Sequence, residues 1–177
     1  MKKYIFSFLM AASCWMVACN PKSESNMATS TGGASTVALP YVANYSTDFN
    51  NNVSDSDLLT TLNSYKAWEN GDMKALRATL GDNTSSYLSD GTKFSGPADS
   101  LITTYSKFRD SLSSVNIRMD VWLKNYSVKD SMNYINVWYR EIDTYKNGKV
   151  DSANYEDDNG MKNGKIIWYS QHKQVLK

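Results

Sequence analysis

The chain has 177 residues, with 19 basic and 18 acidic side chains and a formal net charge of +1. This length suits one domain with a tail, and the charge balance argues against a nucleic-acid partner, which would need an excess of Lys and Arg. Two cysteines exclude a disulfide framework, and a single histidine, His172, excludes a two-histidine metal site. Since there is also no phosphate-binding or paired-carboxylate motif, we expect no metal and no cofactor.

The N-terminus has the pattern of an export signal. Residues 1–3 are positive and residues 4–18 carry no charge, a run that is too short to span a membrane and long enough for a secretion signal. Its end, Met-Val-Ala-Cys, resembles the lipobox of bacterial lipoproteins, in which the cysteine is lipidated. The resemblance implies a signal peptide at 1–18, lipid on Cys19 as the membrane anchor, and a place in the cell envelope. An ordinary cleaved signal or an uncleaved anchor is the alternative.

Residues 19–54 are predicted to form a flexible spacer. They are rich in Ser, Thr, Asn, Gly and Ala, and residues 23–36 contain almost nothing that could be buried. Such a composition does not offset the entropy lost on ordering. Residues 37–42 are more apolar, and they either dock on the folded domain or bind a partner.

Three helices are predicted to open the domain at residues 55–177. The first follows a capping serine, Ser54 or Ser56, and ends at Asn70-Gly71. The second is short and lies between Asp72 and Gly81, and the third opens at Gly96-Pro97. The apolar stripes at helical spacing are, in order, Leu58, Leu62 and Tyr65; Met73, Leu76 and Leu80; and Leu101, Tyr105, Phe108 and Leu112. A turn at Asp90-Gly91 separates two short extended pieces.

Four long strands are predicted after the helices. In the first, an alternating apolar face consists of Val115, Ile117, Met119, Val121 and Leu123. The others span 132–145, 150–161 and 166–175, and hairpin turns at Asn147-Gly148 and Asn163-Gly164 join them. These turns predict pairing of Tyr145 with Val150 and of Met161 with Ile166. Helices followed by antiparallel strands indicate the α+β class.

Three segments of the domain carry a family resemblance. Residues 65–76, Tyr-Lys-Ala-Trp-Glu-Asn-Gly-Asp-Met-Lys-Ala-Leu, resemble the first-helix signature of nuclear transport factor 2-like, or SnoaL-like, proteins. Asp90-Gly91 with residues 94–96 resembles their loop before the third helix, and residues 163–166 resemble the start of their last strand. The resemblance implies a cone-shaped, cystatin-like roll, in which three helices pack on a curved antiparallel sheet of about four long strands. It also implies a pocket in the cone and a homodimer through the sheet.

Two residues are candidates for a general base. His172 is the only side chain with an ordinary pKa near neutrality, and a role at a strand end or dimer interface is the alternative for it. Family isomerases place an Asp on a strand inside the cone, and Asp120 is the candidate here. Asp143, Glu141 and Glu156 are also predicted to lie on strands. None of these carboxylates has an apolar sequence context, so the alternative is a solvated charge.

Aromatic side chains are the candidates for a ligand-binding wall. The set comprises Tyr65, Trp68, Tyr105, Trp122, Tyr134, Trp138 and Tyr155. They suit a small hydrophobic or aromatic ligand. Ordinary packing in the core or a dimer interface is the alternative, above all for Tyr134 and Trp138, which share one strand face.

The sequence leaves three functions open. The first is a lipid-anchored envelope protein whose domain binds a small molecule or protein partner without catalysis. The alternative is a SnoaL-like isomerase, cyclase or dehydratase that works by general acid–base catalysis in the cone. The third is a docking module whose cone is filled by its own side chains. The family resemblance does not choose among them, because this fold hosts many functions.

Overall fold

The computed structural model describes residues 40, 41, 43 and 46–176. The predicted signal peptide, Cys19 and most of the predicted spacer lie outside the described residues. Within the part that is described, no helix has both the length and the apolar character needed to cross a membrane.

Three helices form as predicted, at Asp55–Asn70 (α1), Met73–Thr79 (α2) and Ala98–Arg109 (α3). The Ser54 hydroxyl accepts a hydrogen bond from the Asp57 amide at 3.1 Å and caps α1. Gly71 ends α1 in the left-handed conformation, with a φ of 71°. Helix α3 stops before Leu112, the last residue of its predicted stripe, because Leu112 already pairs with Tyr145 in the sheet.

The buried face of α1 is more polar than its apolar stripe predicts. The buried positions are Asp57, Thr61, Ser64 and Ala67, whereas Leu58 and Tyr65 lie beside them and are half-buried. The buried hydroxyls of Thr61 and Ser64 keep a hydrogen bond, since they donate to the helix carbonyls of Asp57 and Thr61 at 3.1 and 2.7 Å. These small side chains leave room between α1 and the sheet.

Within the described residues the sheet has seven strands rather than about four. They are Phe49–Asn50 (β1), Leu80–Tyr87 (β2), Lys93–Pro97 (β3), Leu112–Ser127 (β4), Met132–Tyr145 (β5), Val150–Lys162 (β6) and Lys165–Val175 (β7), in the order β1-β4-β5-β6-β7-β2-β3. The four long strands are those predicted. The two short extended pieces predicted around Asp90-Gly91 correspond to β2 and β3, which pair with each other. Their place in the sheet, and β1 altogether, were missed because β2 pairs with β7 and β1 with β4, which are distant in sequence.

All neighbouring strands are antiparallel except β2 and β7, which are parallel. The hairpin at Asn163-Gly164 pairs Met161 with Ile166, as predicted. At Asn147-Gly148 the predicted register is wrong by one residue, since Val150 pairs with Thr144. Gly148 has a φ of 85°, which favours glycine at that position.

A bulge in β4 reverses its predicted alternation. Met119 pairs with Tyr139 and Val121 pairs with Trp138, which leaves Asp120 as the extra residue. Beyond the bulge, Val121 and Leu123 lie on the outer face of the sheet, where they are 45% and 50% exposed. The expectation of one continuous apolar face along this strand is therefore wrong after Met119.

The hydrophobic core lies between the helices and the inner face of the sheet. Leu101 of α3 packs there with Ile135, Val137 and Tyr139 of β5. Residues 135, 137, 139, 141 and 143 alternate onto this inner face along β5. The apolar core at one end of the strand therefore continues into tyrosine and carboxylate side chains at the other.

Candidate functional site

A cavity of about 410 Å³ lies beside this core, between the three helices and strands β5, β6 and β7. Aromatic side chains form much of its wall, among them Tyr65, Trp68, Tyr105, Phe108, Tyr139 and Tyr155. Their ring pairs support one another. Trp68 is stacked on Phe108 with centroids 6.1 Å apart, and Tyr139 is stacked on Tyr155 at 5.3 Å.

Carboxyl groups reach the cavity from two adjacent strands. Glu141 and Asp143 come from β5 and Asp157 comes from β6, and all three are buried. Pairing of Tyr139 with Tyr155 and of Val137 with Asp157 fixes their positions across the two strands. The strand period of two therefore brings tyrosines and carboxylates onto the same inner surface.

Asp157 is held by two tyrosine hydroxyls. Its Oδ2 accepts hydrogen bonds from the Tyr65 hydroxyl at 2.9 Å and the Tyr139 hydroxyl at 3.0 Å. Its Oδ1 has no hydrogen-bond partner among the described residues, although the residue is only 4% exposed. Burial raises the pKa of Asp157 to about 7, against the opposing effect of the two tyrosine hydrogen bonds.

Two amides hold the tyrosines in place. The Asn159 amide donates to the Tyr65 hydroxyl and to the Ile135 carbonyl, both at 3.1 Å. The Gln171 amide donates to the Tyr139 hydroxyl at 3.3 Å. Because each hydroxyl accepts from an amide, its own proton is directed at Asp157. Burial and the Asp157 charge raise the pKa of both tyrosines well above the ordinary value, so both remain donors.

Glu141 and Asp143 form a coupled acidic pair. Burial, and then the charge of Asp143, raise the pKa of Glu141, and burial is also the largest cause of the raised pKa of Asp143. Two carboxylates so close cannot both ionise readily, so the pair holds a proton at a higher pH than an isolated carboxylate would. The Oδ1 atom of Asp143 has no hydrogen-bond partner in the described part of the chain.

In the part of the chain that the structure describes, one ammonium group lines the cavity, that of Lys173 on β7. Its Nζ lies 3.3 Å from Asp151 Oδ2 and 5.6 Å from the centroid of the Tyr155 ring. The cavity surface therefore holds this ammonium with one carboxylate and one aromatic face.

Four of the predicted ligand-binding residues line the cavity: Tyr65, Trp68, Tyr105 and Tyr155. The other three do not. Tyr134 lies on the outer face, where its ring meets Trp168 at 6.2 Å, and Trp138 pairs with Val121 and Glu156. Trp122 is half-exposed beyond the bulge. The outer face is where the family resemblance locates a dimer contact, which stays a prediction.

Neither candidate base reaches the cavity. Asp120 is the bulge residue of β4, and its Oδ1 lies 3.1 Å from Arg118 Nε. His172 is exposed and pairs with Glu156 on the outer side of the sheet. Neither residue is among those that line the cavity.

The expectation that strand carboxylates lie in solvent is wrong for Glu141 and Asp143, which are buried. Asp157 was missed altogether. The sequence does place Asp157 on the same strand face as Tyr155 and Asn159, because alternate residues of a strand share a face. This alternation alone does not show which face is the inner one. The neighbouring charges of Glu156 and Asp158 are typical of a solvent-exposed segment.

No protein-family model matches the chain, and no curated protein matches it by sequence. Solved structures do match. The fold is that of nuclear transport factor 2-like proteins. One such protein of unknown function, from Burkholderia pseudomallei, is 18% identical with a TM-score of 0.57, over 69% of this chain and 92% of that one. An epoxide hydrolase of the LEH-like type from M. tuberculosis is 10% identical with a TM-score of 0.59, over 68% and 84%.

A third similar structure is a protein with a ketosteroid isomerase-like fold from Catenulispora acidiphila, in complex with trimethylamine. It is 10% identical with a TM-score of 0.54, over 66% of this chain and 85% of that one. At these identities the likeness extends to the fold alone, and the neighbours include both enzymes and proteins of unknown function. The fold therefore leaves binding and catalysis equally open.

Proposed function

We propose that the domain binds a small hydrophobic or aromatic molecule in its inner cavity, without catalysis, as part of a lipid-anchored protein of the bacterial cell envelope. The observation that carries the binding proposal is the cavity of about 410 Å³ with its aromatic wall, a volume typical of small-molecule sites. An interior with no binding function is filled by its own side chains, because protein interiors pack as densely as organic crystals. This favours a binding domain over a docking module with a filled interior.

The binding proposal is tested by NMR with a neutral aromatic probe, 1-naphthalenemethanol, added to the full-length chain. We expect saturable shifts of the Trp68 indole N–H, because Trp68 lines the cavity. Trp168 lines a separate surface hollow on the outer face, and its indole signal serves as the internal reference. Shifts of equal size at both indoles, or at neither, would contradict the proposal.

A pair of adjacent variants adds a control for this experiment. Ser64 lines the cavity and is buried, so Ser64→Leu inserts apolar volume into the space that the probe would occupy. Asn63 is exposed on the same helix, and Asn63→Leu makes a similar chemical change outside the cavity. We expect Ser64→Leu to weaken probe binding by about tenfold and Asn63→Leu to leave it unchanged.

The lipid anchor is supported by the positive start, the uncharged run of residues 4–18 and the position of Cys19. In a bacterial host grown with an alkyne-tagged fatty acid, we expect the full-length chain to take up the tag. Cys19→Ser should abolish uptake, and Cys14→Ser, in the part of the signal that is removed, should not. Labelling that survives Cys19→Ser would contradict the anchor.

A second candidate function is acid–base catalysis in the same cavity, of the isomerase, cyclase or dehydratase type. The arrangement of Asp157 favours it. One oxygen is fixed by two tyrosines, the other has no partner in the described residues, and the pKa of the group is about 7. A base with a pKa near the working pH is the most effective one. In this candidate the proton acceptor is Asp157 rather than Asp120 or His172.

A further inference from the structure

We propose that the ligand of the cavity is an organic ammonium ion, a small aromatic or aliphatic amine whose cationic group contacts Asp157 and the Glu141–Asp143 pair. This inference rests on the proposed binding function and adds the chemical class of the ligand to it. Three observations carry it: the charge of the lining, the unpartnered oxygens, and the aromatic wall.

The cavity lining is strongly biased toward acidic groups. Among the described residues, five carboxylic acids line it, Asp90, Glu141, Asp143, Asp151 and Asp157, against the single ammonium of Lys173. That ammonium is paired with Asp151, and its charge, with that of Arg109, also works against the burial that raises the pKa of Asp143. Glu141 and Asp157 are the inner carboxyl groups for which the described residues supply no such cation. An ammonium ligand would favour the ionised form of these carboxyl groups, whereas an anionic ligand would oppose it in a site of low dielectric constant, where repulsion is strong.

Two buried oxygens require a donor. Asp157 Oδ1 and Asp143 Oδ1 have no hydrogen-bond partner among the described residues, and the two residues are only 4% and 7% exposed. Buried polar atoms in folded proteins are almost always paired. An ammonium group supplies several N–H donors together with a compensating charge, whereas an apolar ligand would leave both oxygens unpaired.

The aromatic wall suits the same kind of ligand. Trp68, stacked on Phe108, and Tyr155, stacked on Tyr139, line the space beside the carboxyl groups. Aromatic faces attract cations through the ring quadrupole, most strongly where water is excluded. The Lys173 ammonium already lies over the Tyr155 ring and beside Asp151, so the chain holds a cation of its own with this combination of groups.

The test compares three probes of matched shape on the full-length chain by calorimetry at neutral pH. They are 1-naphthylmethylamine, which is a cation, 1-naphthalenemethanol, which is neutral, and 1-naphthoate, which is an anion. Since a hydrogen bond to a charged group is stronger than one between neutral groups, we expect the amine to bind at least about tenfold more tightly than the alcohol. The anion should bind most weakly.

Variants then assign this preference to the inner carboxyl groups. Asp157→Asn should reduce the ratio of amine to alcohol affinity at least about fivefold, with Asp143→Asn as the second variant should the first fail to fold. Asp82→Asn removes a carboxylate that is fully exposed and should leave the ratio unchanged. Equal binding of amine and alcohol, or a ratio insensitive to both inner variants, overturns the ammonium proposal and leaves small-molecule binding standing. Binding of none of the three probes overturns both.

Discussion

Asp157→Asn should make the domain more stable than the wild-type chain above pH 7 and should flatten the dependence of stability on pH. Burial raises the pKa of Asp157 to about 7 in the folded chain, whereas the ordinary pKa of an aspartate side chain is 3.8. Between these values the folded state binds more protons than the unfolded state, so the free energy of unfolding falls as the pH rises. Below about pH 3.8 Asp157 is protonated in both states, so the free-energy cost of ionising a buried carboxyl group is absent.

The size of the effect follows from the same shift. A change from 3.8 to about 7 corresponds to about 4 kcal/mol at 1.36 kcal/mol per pH unit, and relaxation of the site brings the expected gain to about 2–4 kcal/mol. Asn retains an oxygen that can accept from Tyr65 and Tyr139. Glu141 and Asp143 remain in the variant with raised pKa values, so part of the slope persists.

Urea unfolding of both proteins between about pH 4 and pH 8 measures this difference. The control is Asp82→Asn, because the Asp82 side chain is fully exposed and its loss should leave the pH dependence intact. A difference between Asp157→Asn and wild type that is constant over the whole range would contradict the assignment of the buried proton to Asp157.

The second prediction tests the second candidate function, in which Asp157 acts as a general base. The probe is 5-nitrobenzisoxazole, in which a carboxylate takes the ring C–H proton while the N–O bond breaks to give a nitrile and a phenoxide. If this second candidate function is right, the wild-type chain accelerates this elimination, with a rate that rises with pH to a midpoint near 7, because only ionised Asp157 accepts the proton. Asp157→Asn should lower the rate at least about 100-fold, within the usual range for loss of a general base.

Two further variants separate the candidates in this assay. Asp120→Asn and His172→Ala should keep the wild-type rate and midpoint, since neither side chain is among those lining the cavity. Loss of rate in either of them, with Asp157→Asn fully active, would return the catalytic assignment to the residues that the sequence predicts. A chain with no acceleration at all would remove the acid–base candidate and leave the binding function.

The elements of the domain could be predicted where their signals are local. Strand β5 has the predicted bounds, and the turn at Asn163-Gly164 gives the predicted pairing of Met161 with Ile166. Glycines at 71, 148 and 164 all have a positive φ. Because this conformation favours glycine, Asn-Gly turns and helix ends can be recognised from the sequence. Four of the seven predicted ligand-binding aromatics also line the cavity, and three of these, Tyr65, Trp68 and Tyr105, lie on predicted helices, on or beside their apolar stripes.

The acidic part of the cavity could not be predicted in the same way. Asp157 stands between Glu156 and Asp158, and the three carboxylates differ only in the face to which pairing with β5 and β7 turns them. Sequence rules assign charged side chains to solvent, so the buried one is hidden among exposed neighbours. Similarly, the extra residue at Asp120 exchanges the faces of β4 without any change in apparent alternation.

The parallel pairing of β2 with β7 bears on how the domain reaches its native state. Thr84 and Ile166, joined across these strands, are 82 positions apart in the chain. Contacts of such separation form late and slowly, because the entropy of closing a long loop must be lost first. The meander from β4 to β7 needs only hairpin closures, so it can assemble while β2 is still unpaired. Until β2 docks, the edge of β7 is open to strands of other chains, and aggregation competes with folding at that step.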